Sequence, residues 1–529
     1  MNSRYFAVCL SSVWLSLSAS AFAQEPSSLS ERQAVVAAVA QNPTLHVALL
    51  RAQQSRYNLS AEQALYDPVL DANAGYTHLR TPSLVSRTVA NDDGTMTVVP
   101  DTRVTGSDVF DVGAGITKPF AYGTVVGASV SGQRSSRASL EQAALFGANG
   151  PGYSIAARLS ATQPLLRGFG TDLGLASLRQ AKLTLSANQL AAQDAASQLL
   201  SQVVNAYWEL WYATETVRIN EASRELARVQ QEQAKQQVDS GALAPASALP
   251  YATQVAELEE TVLAAQTQVR QRELALWQLL GKPSGEGVSL RAADAPDLPR
   301  VDELSESSAV QDALKNSYVR RQLQTQLAIV KDQLKITGDP LRPRLDVDAY
   351  VQAQGLGNTR VPPAFEQFGK LDAVSAHVGL TFEMPLTDTR RSSQIQAAQL
   401  AAHVAEKQIE ANELEIRSSV ALAIAQRRAA HDKLELSTQT EKVAGQQAEA
   451  ERARFLAGGS IAITVQQAED AYRQAQLRVQ RARVDLVLAE LALLEIRGQL
   501  LARYSDAVTQ LPAEQRIELT SRAATTGNF

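Results

Sequence analysis

Five histidines, His46, His78, His377, His403 and His431, are the side chains of this 529-residue chain best suited to hold a metal, and their spacing does not suit one. A zinc-hydrolase helix carries two histidines four positions apart around a glutamate, and no pair here has that interval. The single cysteine, Cys9, lies in an apolar N-terminal segment that reads as removed on export, so no structural zinc site or thiol chemistry is expected in the mature chain. Gly168-Phe169-Gly170 offers glycines but lacks the lysine and the context of a phosphate-binding loop. No arrangement of serine, histidine and aspartate suggests a triad. The sequence therefore assigns no catalytic residue, no cofactor and no metal, and any energy for work must come from a partner.

The residues that stand out are glycines and prolines placed twice. Gln41-Asn42-Pro43 matches Lys315-Asn316-Ser317, and Tyr66-Asp67-Pro68-Val69-Leu70-Asp71 matches Leu341-Arg342-Pro343-Arg344-Leu345-Asp346. Gln163-Pro164-Leu165 matches Met384-Pro385-Leu386. Ser240-Gly241-Ala242-Leu243-Ala244 matches Gly458-Gly459-Ser460-Ile461-Ala462, and Gly281 matches Gly498. Such self-similarity is the signature of a duplicated architecture.

The elements between these markers follow one plan. In the first repeat, 24–282, a helix ends before Pro68 and strands occupy about 69–162. A long helix covers about 172–239, and a further helix reaches Leu280, where Gly281-Lys282-Pro283 stops it. Within the strand region, 69–80 and 112–134 alternate apolar and polar residues, whereas the polar stretch 81–108, with Asn91-Asp92-Asp93-Gly94, reads as a loop. A linker at 283–304 leads to the second repeat, 305–502. There a helix over about 307–336 is followed by strands within about 344–384, separated by a loop at 355–372. A long helix covers about 391–456 and another extends to 501. Residues 503–529 read as a C-terminal tail. Each long helix would be a rod of roughly 100 Å at 1.5 Å per residue. The strand interval Pro68–Pro164 is more than twice Pro343–Pro385, so the first repeat holds an added hairpin or an enlarged external loop.

Composition excludes other classes. The chain carries 50 basic and 55 acidic residues, a net charge of −5, which does not favour nucleic acid. Aromatics are 5%, low for a packed enzyme core, and charged residues are 20% with a mean hydropathy of −0.16. Beyond the N-terminus no run of about 18 apolar residues exists to form a spanning helix. Arg4, the apolar stretch Phe6–Leu17 and Ala21-Phe22-Ala23 form a secretory signal (residues 1–23), with cleavage expected between Ala23 and Gln24. The mature chain would have no N-terminal cysteine and so would not be a lipoprotein. A large exported protein without disulfides needs burial or assembly for stability.

Strands with one apolar and one polar face suit a barrel wall between lipid and water, or one side of a soluble sheet. A rod of roughly 100 Å cannot bury itself within one chain of this size. Four to six strands cannot close a useful barrel either. Combining several copies resolves both shortages: the fold class is mainly α with a membrane β part. A periplasmic or surface coiled-coil scaffold, or an adhesin stalk, would explain the helices and the signal but not two amphipathic strand regions bounded by prolines.

With these features the chain resembles the TolC-like outer-membrane efflux proteins over nearly all of the mature sequence. The resemblance rests on the Asn42-Pro43 helix start, the strand exit Gln163-Pro164-Leu165-Leu166-Arg167-Gly168 and the duplicated glycine breaks. Arg452, Phe455, Leu456 and Gly459 resemble the tip signature. It implies a homotrimer with a long antiparallel α-helical barrel joined to an outer-membrane β-barrel shared between protomers. It also implies a periplasmic adaptor (membrane fusion) protein and an inner-membrane pump, proton-driven or ABC type. The function would be the outer-membrane channel of a tripartite efflux or type I secretion system, passing small molecules or proteins to the exterior.

The adaptor-docking tip expected on this basis comprises Gly241, Ala242, Leu243, Arg452, Leu456, Gly459, Ser460 and Ile461. Some relatives carry gate aspartates six and nine residues past the tip glycine, where this chain has Val465 and Ala468, and Ser247 and Pro250 in the first copy. The nearest acids, Glu469 and Asp470, are the candidate gate residues. The aromatic run Tyr207-Trp208-Glu209-Leu210-Trp211-Tyr212 reads as core packing.

Overall fold

The structure is a computed structural model and describes residues 27–138, 152–241, 244–283, 289–298, 305–357, 360–384, 386, 389–457 and 459–520. The cleavage pair Ala23 and Gln24, tip residues Ala242 and Leu243, and the segment after 520 lie outside the described residues, as does the side chain of Leu456.

Strand β1 (Ser27–Leu29) leads into helix α1 (Glu31–Gln41) through a capping box, with Ser30 Oγ accepting from the Gln33 amide at 3.2 Å and Gln33 Oε1 from the Ser30 amide at 3.0 Å. Helix α2 (Pro43–Ala64) starts on Asn42, whose Oδ1 accepts from the amides of Thr44 and Leu45, while Pro43 occupies the first helical position, where no N–H is needed. Four strands follow: β2 (Val69–Ala90), β3 (Met96–Pro119), β4 (Val125–Ala138) and β5 (Gly152–Pro164). The stretch 81–108 is therefore not a loop. Asn91–Gly94 makes the turn, but β2 and β3 pair without interruption from Val69↔Thr117 to Ala90↔Met96. Threonine and valine stand on both faces of this outer hairpin, so no alternation announced it.

One turn, α3 (Thr171–Gly174), precedes the rod α4 (Ala176–Asp239), whose 64 residues span about 96 Å. Helix α5 (Pro245–Leu279) runs back along it. The expected linker holds strand β6 (Leu290–Ala292), which pairs in parallel with β1. Both strands are three residues long, too short for a readable period.

The second repeat opens with α6 (Glu306–Asn316) and α7 (Tyr318–Gly338), two helices rather than one. Ser317 divides them by capping α7, its Oγ accepting from the Arg320 amide at 3.2 Å. Then come β7 (Arg344–Gly357), α8 (Pro362–Lys370), β8 (Val374–Glu383), the 68-residue rod α9 (Thr389–Leu456) and α10 (Ala462–Ile496). Helix α8 falls inside the expected loop, and its signal was Pro362-Pro363 at a helix start. Residues past 500 are not simply a tail: α11 (Leu500–Arg503), α12 (Ser505–Thr509) and α13 (Ala513–Thr520) bring Leu500, Val508, Leu511 and Leu519 into the core.

The sequence echoes mark one joint used twice. Asn42 Nδ2 donates to the Leu279 carbonyl at 2.9 Å, and Asn316 Nδ2 to the Arg497 carbonyl at 3.3 Å. Beside them Gly281 and Gly498 hold φ of 69° and 65°, a left-handed conformation that ends the returning helix. The main core lies at this level, where α1, α2, α4, α5 and α10 meet. Tyr207 is wholly buried there, with Trp208 edge-on to it at 5.1 Å and Trp211 beyond. Burial pushes the Tyr207 hydroxyl up to about 12, and it donates to the Leu29 carbonyl at 3.1 Å. The aromatic run is thus core, as its spacing suggested.

Candidate channel wall and helical tip

The six larger strands form one antiparallel sheet in the order β2-β3-β4-β5-β7-β8. Its faces are set by the two-residue period. Leu70, Ile116, Ala128, Leu159, Val351 and Ala376 are successive register partners across the sheet. One residue along, the row reads Asp71, Gly115, Ser129, Arg158, Gln352 and Ser375. The first row faces one side and the second the other. On the apolar side of β8, Val378, Leu380 and Phe382 are 75%, 71% and 63% exposed in the single chain. So large an open apolar surface needs a non-aqueous neighbour.

The polar side is tied together across strands. Asp348 accepts from Thr162 Oγ1 at 2.9 Å and from Thr381 Oγ1 at 3.4 Å, bridging β5, β7 and β8. The Arg158 guanidinium sits 3.8 Å from the centre of the Tyr350 ring, and His377 stacks on that ring at 5.1 Å. Near the helices, Arg344 pairs with Asp346 at 2.5 Å and Arg167 with Glu383 at 3.3 Å. These contacts are water-compatible and hold no acid–base pair aimed at a common point.

At the far end of the rods the chain reverses twice. Gly241 takes φ of 76°, and none of the described residues lies within 4 Å of where its Cβ would stand. Gly459 does not adopt a left-handed φ; its amide donates to the Arg454 carbonyl at 2.9 Å, and among the described residues its absent Cβ would contact only that carbonyl, at 3.6 Å. The two glycines thus share a place but not a conformation. Ser460 Oγ donates to Glu451 Oε2 at 3.1 Å, and Ile461, 65% exposed, begins α10.

Glu469 and Asp470 differ. Glu469 Oε1 accepts from Arg452 Nη2 at 2.8 Å and from Gln230 Nε2 at 2.8 Å, joining α10 to α9 and to α4. Asp470 pairs with Arg473, whose Nη1 also donates to Asn220 Oδ1 at 2.8 Å. Val465 and Ala468, at the usual gate positions, are buried between helices. A groove of about 980 Å³ opens beside these residues, lined by Leu249, Pro250, Gln254, Arg452, Glu469 and Arg473. Sequence reasoning missed Gln230, Asn220 and Arg473, since no spacing in one helix reveals a partner on another. Among the described residues no histidine, cysteine or carboxylate cluster could hold a metal, and no helix is long and apolar enough to cross a membrane.

The model of the outer membrane efflux protein family matches residues 309–499, from α6 to the end of α10. Solved structures extend the likeness to the rest of the chain. The outer membrane protein VceC of Vibrio cholerae is 15% identical with a TM-score of 0.60, covering 88% of this chain and 96% of that one. The CmeC outer membrane channel of Campylobacter jejuni is 12% identical with a TM-score of 0.62, covering 92% and 89%. The MtrE outer membrane channel of Neisseria gonorrhoeae is 15% identical with a TM-score of 0.59, covering 88% and 88%. At these identities the likeness is one of fold. No curated protein matches closely enough in sequence to count as a relative. The TolC-like resemblance read from the glycine and proline markers is thus met, in sequence by the second repeat and in fold by most of the chain.

Proposed function

We propose that the chain is the outer-membrane channel of a tripartite export system, a homotrimer whose sheets close into one barrel and whose rods close into one periplasmic tunnel. The observation that carries this reading is the open sheet with one apolar face, mounted on rods that a single chain leaves uncovered. Leu400, Val404, Leu414, Leu422, Leu436 and Val443 of α9 are 57–65% exposed and lie on one stripe at 100° per residue. A second copy is the natural cover for a stripe of that length, and lipid for the apolar sheet face.

The tip turns then form the rim for a periplasmic adaptor, beneath which an inner-membrane pump, proton-driven or ABC type, supplies energy and cargo, whether small molecules or proteins. Glu469, held by Arg452 and Gln230, is a tether that keeps the tip narrow at rest. The channel performs no catalysis in this scheme. The assembly is tested by extracting the membrane-inserted protein in mild detergent and measuring its mass. A trimer from the outer-membrane fraction is expected, and a monodisperse folded monomer, or recovery in the soluble fraction, overturns the reading.

A further inference from the structure

We propose that the barrel wall has eighteen strands, six from each of three protomers, so that the outer pore is wide. The inference rests on the shared-barrel trimer above. The second repeat crosses the wall out and back once, as β7 and β8, whereas the first crosses twice, as β2 to β5. The question is whether the additional crossing belongs to the wall.

Three observations place it there. The apolar and polar rows run through β3 and β4 without changing sides, as Ile116 with Ala128 and Gly115 with Ser129. A hairpin folded over the barrel mouth would have no need of that match. Next, the turn between β3 and β4 is pinned to the foot of the wall. A Cβ on Gly174 would lie 2.0 Å from the Ala121 carbonyl oxygen, and one on Gly123 (φ 86°) 2.5 Å from the Gly168 carbonyl oxygen. The Gly170 amide donates to the Tyr122 carbonyl at 3.3 Å, and the Tyr66 hydroxyl donates to the Gly174 carbonyl. The hairpin thus rises from the level at which β5 passes into the helices. Finally, β4 is the sole connection in the sheet between β3 and β5, and the sheet ends at β2 and β8, which run in opposite directions. Edges of neighbouring protomers would meet antiparallel, as barrel closure requires. Diameter grows about linearly with strand number, and walls of about 16–18 strands leave an aqueous channel.

Electron cryomicroscopy of the detergent-extracted assembly counts the strands directly, and eighteen are expected. Arginine variants of β4 give a second readout. Val130 shares the apolar face with Ala114 and Ala157, and Ser131 the other with Gly113 and Ala156. If β4 lies in the wall, Val130→Arg lowers assembled trimer by about tenfold or more while Ser131→Arg leaves it near wild type. A membrane trimer with fewer wall strands, or equal assembly of the two variants, overturns this inference and leaves the channel function standing. Absence of a membrane trimer overturns both.

Discussion

Gly281 stands so close to Gln41 that a Cβ on the glycine would lie 2.3 Å from the Gln41 carbonyl oxygen. The same joint in the second repeat puts a Gly498 Cβ 2.9 Å from the Asn316 carbonyl oxygen. At both points the returning helix ends against the kink that Asn42 or Asn316 makes, so the glycine serves two needs, a left-handed turn and close packing. A left-handed alanine costs about 1–2 kcal/mol from the backbone alone. Gly241→Ala should cost about that much, since its Cβ meets none of the described residues. Gly281→Ala and Gly498→Ala should cost more, with Gly281→Ala the worst. Denaturant midpoints of the extracted protein order the three, and a Gly241→Ala variant as unstable as Gly281→Ala would contradict the packing argument.

The sheet register makes a second prediction. Leu380 pairs with Val347 on the apolar side, and Thr381 with Asp346 on the polar side. An arginine facing lipid near the bilayer midplane costs about 2–4 kcal/mol, whereas one in a watery lumen costs little. Leu380→Arg should therefore reduce assembled channel in the outer membrane far more than Thr381→Arg. Quantifying heat-modifiable trimer in membrane fractions checks this; the reverse order would mean that the faces are assigned wrongly.

These faces were legible in the sequence because Val374–Glu383 and Arg344–Gln354 alternate, and the rods because Asp172–Asp239 holds no proline. The paired glycines and asparagines were legible as repeats, though not as one interlocking joint. What escaped has a common cause. The outer parts of β2 and β3 carry Arg87, Thr88, Thr97 and Thr102, so no face is consistently apolar and only backbone pairing defines them. Strands β1 and β6 are too short to show a period. The capping role of Ser317, and the burial of Val508 and Leu519, depend on neighbours distant in sequence. At the tip the positions were legible, but the bond from Gln230 to Glu469 links residues that no local pattern relates.

Burial gives a pH dependence to the junction between rods and core. Desolvation raises the Glu495 carboxyl above its ordinary range, with Asp194 adding repulsion, while a hydrogen bond from Ser201 Oγ at 2.6 Å opposes the rise. The folded state thus holds the Glu495 proton more tightly than the unfolded state does. Stability from this group is present at low pH and is lost as pH climbs from about 4.3, the ordinary glutamate value, through the raised folded value. Glu495→Gln keeps an acceptor for Ser201 and cannot ionise. Its melting temperature should exceed that of the wild type at about pH 7.5 and match it more closely at about pH 4.5. Parallel pH profiles for the two proteins would refute the assignment.

The Glu469 tether can be released without disturbing the turns. Gln230 and Arg452 both donate to the same Glu469 oxygen, so Glu469→Ala removes two helix-to-helix links at once. The side chain is only 10% exposed. Loss of each such charge-assisted contact costs about 1.5–3 kcal/mol, enough to shift a closed tip toward open states but not to unfold rods of this length. Planar-bilayer recordings should show higher open probability for Glu469→Ala, with Asp470→Ala smaller in effect, because Asp470 pairs chiefly with Arg473 on its own helix. Identical recordings for wild type and Glu469→Ala would remove Glu469 from any gate.

The tip glycines separate docking from folding. Among the described residues, Gly241 has open space where a side chain would grow, and at Gly459 the nearest atom, the Arg454 carbonyl oxygen, is at ordinary contact distance. A tryptophan at either place therefore projects outward rather than into the rods. Gly241→Trp carries the left-handed backbone cost of about 1–2 kcal/mol, and Gly459→Trp avoids it, so the second is the cleaner test. The indole would occupy the surface that a helical hairpin of an adaptor needs in order to approach closely. The tip lies about 96 Å along α4 from the sheet end, so barrel assembly should be untouched. Gly459→Trp is expected to insert and trimerise at wild-type levels yet abolish export and adaptor cross-linking. Normal export at native levels of assembled protein would show that the glycine rim is not the docking surface, and failure to assemble would show that Gly459 serves the turn itself.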